Sequence, residues 1–244
     1  MTPAFALAAG LTTALTLAAT PLHAQMMGRN ATLDLGLGAI AGPEYPGADD
    51  GKVSPWFILR NGAAADGQGF SVSPSLGLKG KRDSSDGDAL AGLDEIDRAF
   101  EIGARIGYGM GPVSTYATVR RGFGGHEGVT GAVGAKYRTE LSPELTLWSG
   151  VQAVYGNGRF NDTYFGVTED ESAASGLAAY APGTGFNEAA ISFEARYALT
   201  ESTALLGEVR YGRLIGDAAD SPVVQEKYQP SLRLGVVRRF SFGF

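Results

Sequence analysis

The amino-acid sequence predicts an all-β protein, an antiparallel up-and-down barrel that crosses a membrane with about ten strands. Three observations carry this prediction. Apolar residues recur at every second position rather than at helical spacing. The alternating runs are roughly 9–13 residues long, against a mode of about 5–6 in soluble sheets and about 9–11 for a tilted membrane strand. The connections alternate between tight turns and long polar loops, the asymmetry of barrels with short periplasmic turns and long external loops. Such barrels hold an even number of strands, with eight or twelve as the neighbouring counts.

The chain begins with an uncharged Ala- and Leu-rich run over 4–22, followed by Leu22-His23-Ala24 before Gln25. A small residue closing a short apolar run reads as a cleaved export signal, so 1–24 is predicted to be a signal peptide and 25–244 the barrel domain. One departure from the usual pattern is that no Lys or Arg precedes the apolar run. Beyond Gln25 no 18-residue apolar stretch occurs, so no helical span is predicted.

Ten strands are expected, at 31–41, 53–61, 68–80, 98–109, 112–123, 128–140, 144–155, 187–199, 203–214 and 228–243. In the fourth, Phe100, Ile102, Ala104, Ile106 and Tyr108 share one face, and Glu101, Gly103, Arg105 and Gly107 share the other. In the eighth, Ile191, Phe193, Ala195 and Tyr197 oppose Ser192, Glu194 and Arg196. The connections after the fourth, sixth and eighth strands are tight, and the longest runs from Gly156 to Phe186. The 62–67 connection is long for a turn and 124–127 is short for an outer loop.

Lipid offers the backbone no hydrogen-bond partners, so spanning strands must curl on themselves. The polar row then faces a narrow lumen. It holds Glu101, Arg105, Arg120, Lys136, Arg138, Glu194, Arg196, Glu208, Arg210 and Arg233. Unpaired charge in a narrow interior is expensive, so these groups are expected to pair and leave the pore plugged or very narrow. Trp56, Phe57, Trp148, Tyr155 and Tyr211, near strand ends, are expected in interfacial girdles.

Composition narrows the chemistry. The 244 residues include 36 glycines, no cysteine, 26 acidic and 20 basic residues, for a net charge of −6. That excludes disulfides and Cys-based metal or thiol chemistry, and argues against a nucleic-acid partner. Gly36-Leu37-Gly38-Ala39-Ile40-Ala41 matches a dinucleotide fingerprint in letters, but Gly42-Pro43 and Tyr45-Pro46-Gly47 forbid the helix that fingerprint needs. The predicted mature chain has a single histidine, His126, in Gly124-Gly125-His126-Glu127-Gly128. A solvated loop residue is the expected reading, with a Ser–His lipid-hydrolysing site as the rival. The acidic stretch Asp83-Ser84-Ser85-Asp86-Gly87-Asp88, with Asp94, Glu95 and Asp97, reads as a solvated outer loop rather than a calcium loop. No metal and no cofactor is expected.

Several segments resemble the MipA/OmpV family of outer-membrane proteins, in order along the chain. They are Gly42-Pro43-Glu44-Tyr45-Pro46-Gly47, Gly124–Gly128, Tyr164-Phe165-Gly166-Val167-Thr168 with Ser175-Gly176-Leu177 and Tyr180, Gly216-Asp217-Ala218-Ala219-Asp220-Ser221-Pro222-Val223, and the terminal Phe244. The resemblance implies a small, non-enzymatic barrel in the outer membrane of a Gram-negative bacterium, acting as a scaffold for peptidoglycan-remodelling enzymes. Its partners would be a lytic transglycosylase and a penicillin-binding protein, with lipopolysaccharide and the barrel-assembly machinery as envelope partners. The family-like loop residues Tyr164, Phe165, Gly166, Asp217, Ser221 and Pro222 are the candidate binding positions. The alternatives are a narrow solute channel and an outer-membrane lipid-modifying enzyme.

Overall fold

A computed structural model describes residues 30–61, 68–84 and 87–243. The expected signal peptide, the 62–67 connection, Ser85 and Asp86 of the acidic stretch and the terminal Phe244 lie outside the described residues.

Ten antiparallel strands form one curled sheet: β1 (Asn30–Pro43), β2 (Gly51–Asn61), β3 (Gly69–Lys79), β4 (Ala99–Met110), β5 (Val113–Gly124), β6 (Val129–Glu140), β7 (Leu145–Gly156), β8 (Gly185–Ala198), β9 (Thr203–Leu214) and β10 (Tyr228–Gly243). The order is β2-β1-β10-β9-β8-β7-β6-β5-β4-β3, so β1 zips onto β10 and the sheet rolls back on itself. Among the described residues no ladder joins β2 to β3, which form a seam. The curl is tight enough that Arg60 on β2 forms an ion pair with Glu194 on β8 across the interior.

The outward row is apolar over its full height. Leu37, Phe57, Leu59, Val72, Leu76, Ile102, Ile106, Val119, Val133, Val151, Ile191, Phe193, Val209, Leu234 and Val236 are all exposed. A surface of this size with nothing to cover it is the lipid face of a membrane-spanning barrel. Of the charges on the outward row, Arg121 and Arg213 lie near the lid ends of β5 and β9, and Arg238 pairs with Thr203, the first residue of β9. Two aromatic girdles flank the belt. Phe100 opposite Phe123, Tyr155 against Phe186 and Tyr211 stacked on Tyr228 mark the long-loop end. Phe70 opposite Tyr108, with Tyr137, Tyr197, Phe240 and Phe242, marks the turn end.

Trp56 and Trp148 do not belong to these girdles. Val53, Pro55, Phe57 and Leu59 take the outward row of β2, which turns Trp56 inward beside Ile58 and Arg60. Trp148 likewise lines an interior cavity. Alternation, rather than nearness to a strand end, decides the side.

The glycine excess has a spatial cause. A Cβ at Gly36 would stand 2.7 Å from Val237 Cγ1, one at Gly235 2.7 Å from Ile58 Cδ1, and one at Gly134 2.7 Å from Tyr116 Cζ. Glycines on the inner row make room for large inner side chains within a small circumference. Ile58, Ala204, Leu206 and Val237 use that room to form an apolar cluster on one inner wall. At the turn end, Gly111 (φ 57°) supplies the positive φ that a two-residue connection between β4 and β5 requires.

Among the described residues the long connections leave from the other end and fold together into a lid. The 157–184 connection contains two short helices, α1 (Gly158–Phe165) and α2 (Glu169–Ser175), and the last connection contains α3 (Gly216–Ala219). Asn157 caps α1 by accepting from the Phe160 N–H, and Thr168 with Glu171 forms a capping box on α2. Two buried clusters hold the lid. One gathers Ile96, Phe160, Tyr164, Phe165, Leu214, Ala218 and Ala219; the other Tyr45, Ala48, Leu90, Leu93, Val167 and Val223. Each draws on several connections, so none of these loops packs alone.

Candidate functional site: the capped lumen

The strand register sets the height of each inner side chain. β4 descends from the lid, so Glu101 sits just beneath it and Arg105 near mid-height; β8 also descends, placing Glu188 high, Glu194 lower and Arg196 near the turns. Nearest the lid, Glu101 is buried and faces Arg120 at 3.5 Å and His126 at 3.3 Å, and accepts from the Thr130 hydroxyl at 3.1 Å. In the next tier Glu188 pairs with Arg210 at 2.6 Å and Glu208 with Arg233 at 3.0 Å. Lower, Glu194 holds both Arg60 and Lys136, the latter at 3.0 Å. At the turn end Arg138 pairs with Glu140 at 2.6 Å and Arg239 with Asp34 at 2.8 Å. The predicted luminal residues all lie on the inner row, and the register brings the acidic ones onto basic neighbours. Asp34, Arg60, Glu140, Glu188 and Arg239 complete these pairs. Their parity in the alternation is the signal that would have added them to the predicted set.

Between the tiers lies a cavity of about 440 Å³, lined by seven Lys or Arg side chains against four Glu. Its carboxylates are engaged by five of those cations. Arg105 and Lys79 have no carboxylate partner among the described residues: Arg105 stacks on the Tyr116 ring at 3.7 Å, and Lys79 lies over the Phe160 ring at 5.4 Å. A second cavity of about 200 Å³ at the turn end is lined by Arg138, Arg196, Arg239 and Trp148 with Glu140.

α1 closes the top of the lumen. Phe160 lines the roof of the larger cavity. His126 is wedged beneath it, 5.1 Å from the Phe160 ring and 5.7 Å from the Tyr164 ring in edge-on contacts. His126 is 2% exposed, so the expectation of a solvated loop residue is corrected: Gly122 leaves space for the ring to fold inward, and Gly128 leaves space for Phe160 to close over it. Its Nδ1 accepts from the Gly128 N–H at 3.2 Å. Burial holds its pKa below the ordinary 6.5, Lys79 acts in the same direction and Glu101 opposes both. Among the described residues no serine hydroxyl is hydrogen-bonded to it. Burial also pushes the Tyr164 hydroxyl up to about 12, reinforced by Glu101.

The family-like loop residues meet one another. Tyr164 and Phe165 are buried in the lid. The Ser221 hydroxyl donates to the Phe165 carbonyl at 2.7 Å and accepts from the Val223 N–H at 3.2 Å, across Pro222. Asp217 accepts from the Gly183 N–H at 2.7 Å through its carboxylate and from the Tyr180 hydroxyl at 2.8 Å through its carbonyl. The Gly166 N–H closes α1 onto the Asp162 carbonyl at 3.1 Å. The two loop motifs are thus the halves of one clasp. In the acidic stretch Lys81 pairs with Asp83 and Glu95, and Glu171 accepts from the Asp94 N–H at 3.0 Å.

The family profile described as "MltA-interacting protein MipA" matches residues 35–240. The MltA-interacting protein of Escherichia coli (strain K12) is 29% identical over 96 residues, 39% of this chain and 38% of that protein. YiaT of the same organism, provisionally named an outer membrane protein, is 30% identical over 96 residues, 39% of each chain. The chain thus spans a little over a third of the length of the curated relatives it matches. Among solved structures, the translocator domain of the autotransporter NalP from Neisseria meningitidis is 12% identical with a TM-score of 0.38, covering 87% of this chain and 89% of that one.

Proposed function

Because this chain belongs to the MltA-interacting protein MipA family, we propose that it is a non-catalytic outer-membrane barrel that docks a lytic transglycosylase and, with it, a penicillin-binding protein. The observation that carries this reading is the capped lumen. The outer loops are spent on one another, α1 roofs the barrel, and ion pairs cross the interior. Such a body suits holding a partner at its periplasmic rim better than passing solute. Purification of the tagged barrel from cell envelopes in mild detergent tests it. Stoichiometric recovery of a lytic transglycosylase is expected; recovery of the barrel alone, with transglycosylase left in the flow-through, refutes the docking role.

The luminal cavity of about 440 Å³ favours a solute channel as the second reading. Planar-bilayer recording separates the two: a silent bilayer is expected of a capped barrel, and steady unitary currents would favour the channel.

A further inference from the structure

The lumen carries the opposite charge sign to the protein. The chain has a net charge of −6, yet its main cavity is lined by seven cations and four carboxylates. We infer that this lumen is a binding site for a small multivalent oxyanion, a solute bearing two or more phosphate or carboxylate groups, reached from the turn side of the barrel.

Three observations carry the inference. First, the surplus is local and uncompensated. Each luminal Glu already engages a cation, while Arg105 and Lys79 are left without a carboxylate among the described residues. Cations enclosed by low-dielectric walls focus their field on the space between them and concentrate counter-ions there. Second, Arg105 is already oriented. One face of its guanidinium lies on Tyr116, whose hydroxyl is committed to Gln152 Oε1 at 2.6 Å. A stacked guanidinium keeps its edge N–H groups for a planar or tetrahedral oxyanion, the geometry for which Arg is better suited than Lys. Third, the approach is basic from one end only. The lid covers the outer mouth. The smaller cavity at the turn end is lined by three arginines and one carboxylate: Arg138 is paired with Glu140 and Arg239 with Asp34, while Arg196 has no carboxylate partner and a buried Nε without a hydrogen-bond partner among the described residues. A solute arriving from the turn side meets Arg196 first, then the tier of Arg60, Glu194 and Lys136, and reaches Arg105 in the larger cavity above.

This goes beyond the docking role and stands or falls separately from it. The protein carries its own reporters, because both of its tryptophans line the interior: Trp56 lies 5.8 Å from the guanidinium carbons of Arg60 and Arg233, and Trp148 lines the lower cavity. The test uses the full mature barrel in a neutral maltoside detergent, which supplies no lipid phosphate, with Trp148→Phe to isolate Trp56. Inorganic pyrophosphate is the titrant and inorganic phosphate the monovalent-site comparison. A saturable change in Trp56 emission is expected with pyrophosphate, weaker with phosphate. Iodide should quench Trp56 more strongly than caesium at equal ionic strength. Arg105→Gln should weaken pyrophosphate by about tenfold, with Arg105→Lys in between. Heat-dependent gel migration verifies that each variant is folded. The inference is overturned by a parent barrel whose Trp56 shows no saturable response, by caesium quenching as well as iodide, or by a folded Arg105→Gln that binds pyrophosphate as tightly as the parent.

Discussion

Replacing Ser221 with Ala is the sharpest probe of the lid. The Ser221 side chain is buried and bridges the connections on either side of β8 and β9, donating to the Phe165 carbonyl at 2.7 Å and accepting from the Val223 N–H at 3.2 Å. Alanine fills nearly the same volume, so packing is preserved and only the polar bridge is lost. A net hydrogen bond contributes about 0.5–1.5 kcal/mol, and a buried group left unsatisfied costs about 1–3 kcal/mol. Two buried backbone groups lose their partner here, so about 2 kcal/mol is a conservative figure for the clasp. The strand ladders are untouched, so the loss belongs to local opening of the lid rather than to global unfolding. Hydrogen–deuterium exchange read by peptide mass reports that opening. Amides in 157–184 and 216–224 should exchange about thirtyfold faster under pre-equilibrium conditions, with β4 to β7 unchanged. Unchanged exchange in the lid of a folded variant would refute the clasp. Equal acceleration in the strands would refute the separation of lid from barrel.

Acid should loosen the same lid. His126 is held below its ordinary pKa of 6.5 in the fold, so the opened state binds a proton first as pH falls. Stability is full above about 6.5 and is lost as pH drops from there toward the folded value. Lid exchange, corrected for intrinsic rates, should rise from about pH 7 to about pH 5 in the parent and stay flat in His126→Gln. Glu194→Gln leaves Arg60 and Lys136 without their shared carboxylate. Both side chains keep about a third of their surface wet, 37% and 29% exposed, so the loss is about 2–3 kcal/mol, seen as a lower urea midpoint in micelles. The exposed Glu140→Gln serves as the control, within about 0.5 kcal/mol of the parent. Gly235→Val drives a side chain into Ile58 and should destabilise by about 1–3 kcal/mol, with partial rescue by Ile58→Ala in the double variant.

The strands were legible because lipid and lumen impose a strict period of two. β9 and β10 occupy 203–214 and 228–243 as the alternation predicts, and the other boundaries shift by two residues or fewer. The β8 start moved from 187 to 185 because Asn187 is a bulge: Tyr155 pairs with Phe186 and Val154 with Glu188, which breaks the period locally. The inward charges followed from the same parity, whereas the tryptophans were misplaced when nearness to strand ends was given more weight. The lid was not legible as a unit. Its helices left local traces, Asn157 before α1 and Thr168 with Glu171 in a capping box, but contacts such as Arg82 Nη1 to the Tyr164 carbonyl link residues 82 apart with no periodicity to announce them. His126 belongs to the same class: its burial depends on Phe160 and Tyr164, which arrive from another loop.

The shared interior of the outer loops constrains how this surface changes. Most barrels show the outside world a set of independent tethers, each free to lengthen or be exchanged. Here Tyr45, Leu90, Val167 and Val223 come from four different connections and bury one another. A foreign peptide grafted into any one of those connections would unsettle the other three. The opposite rim, with hairpins such as the one at Gly111, is the side that should accept an inserted tag without disturbing its neighbours.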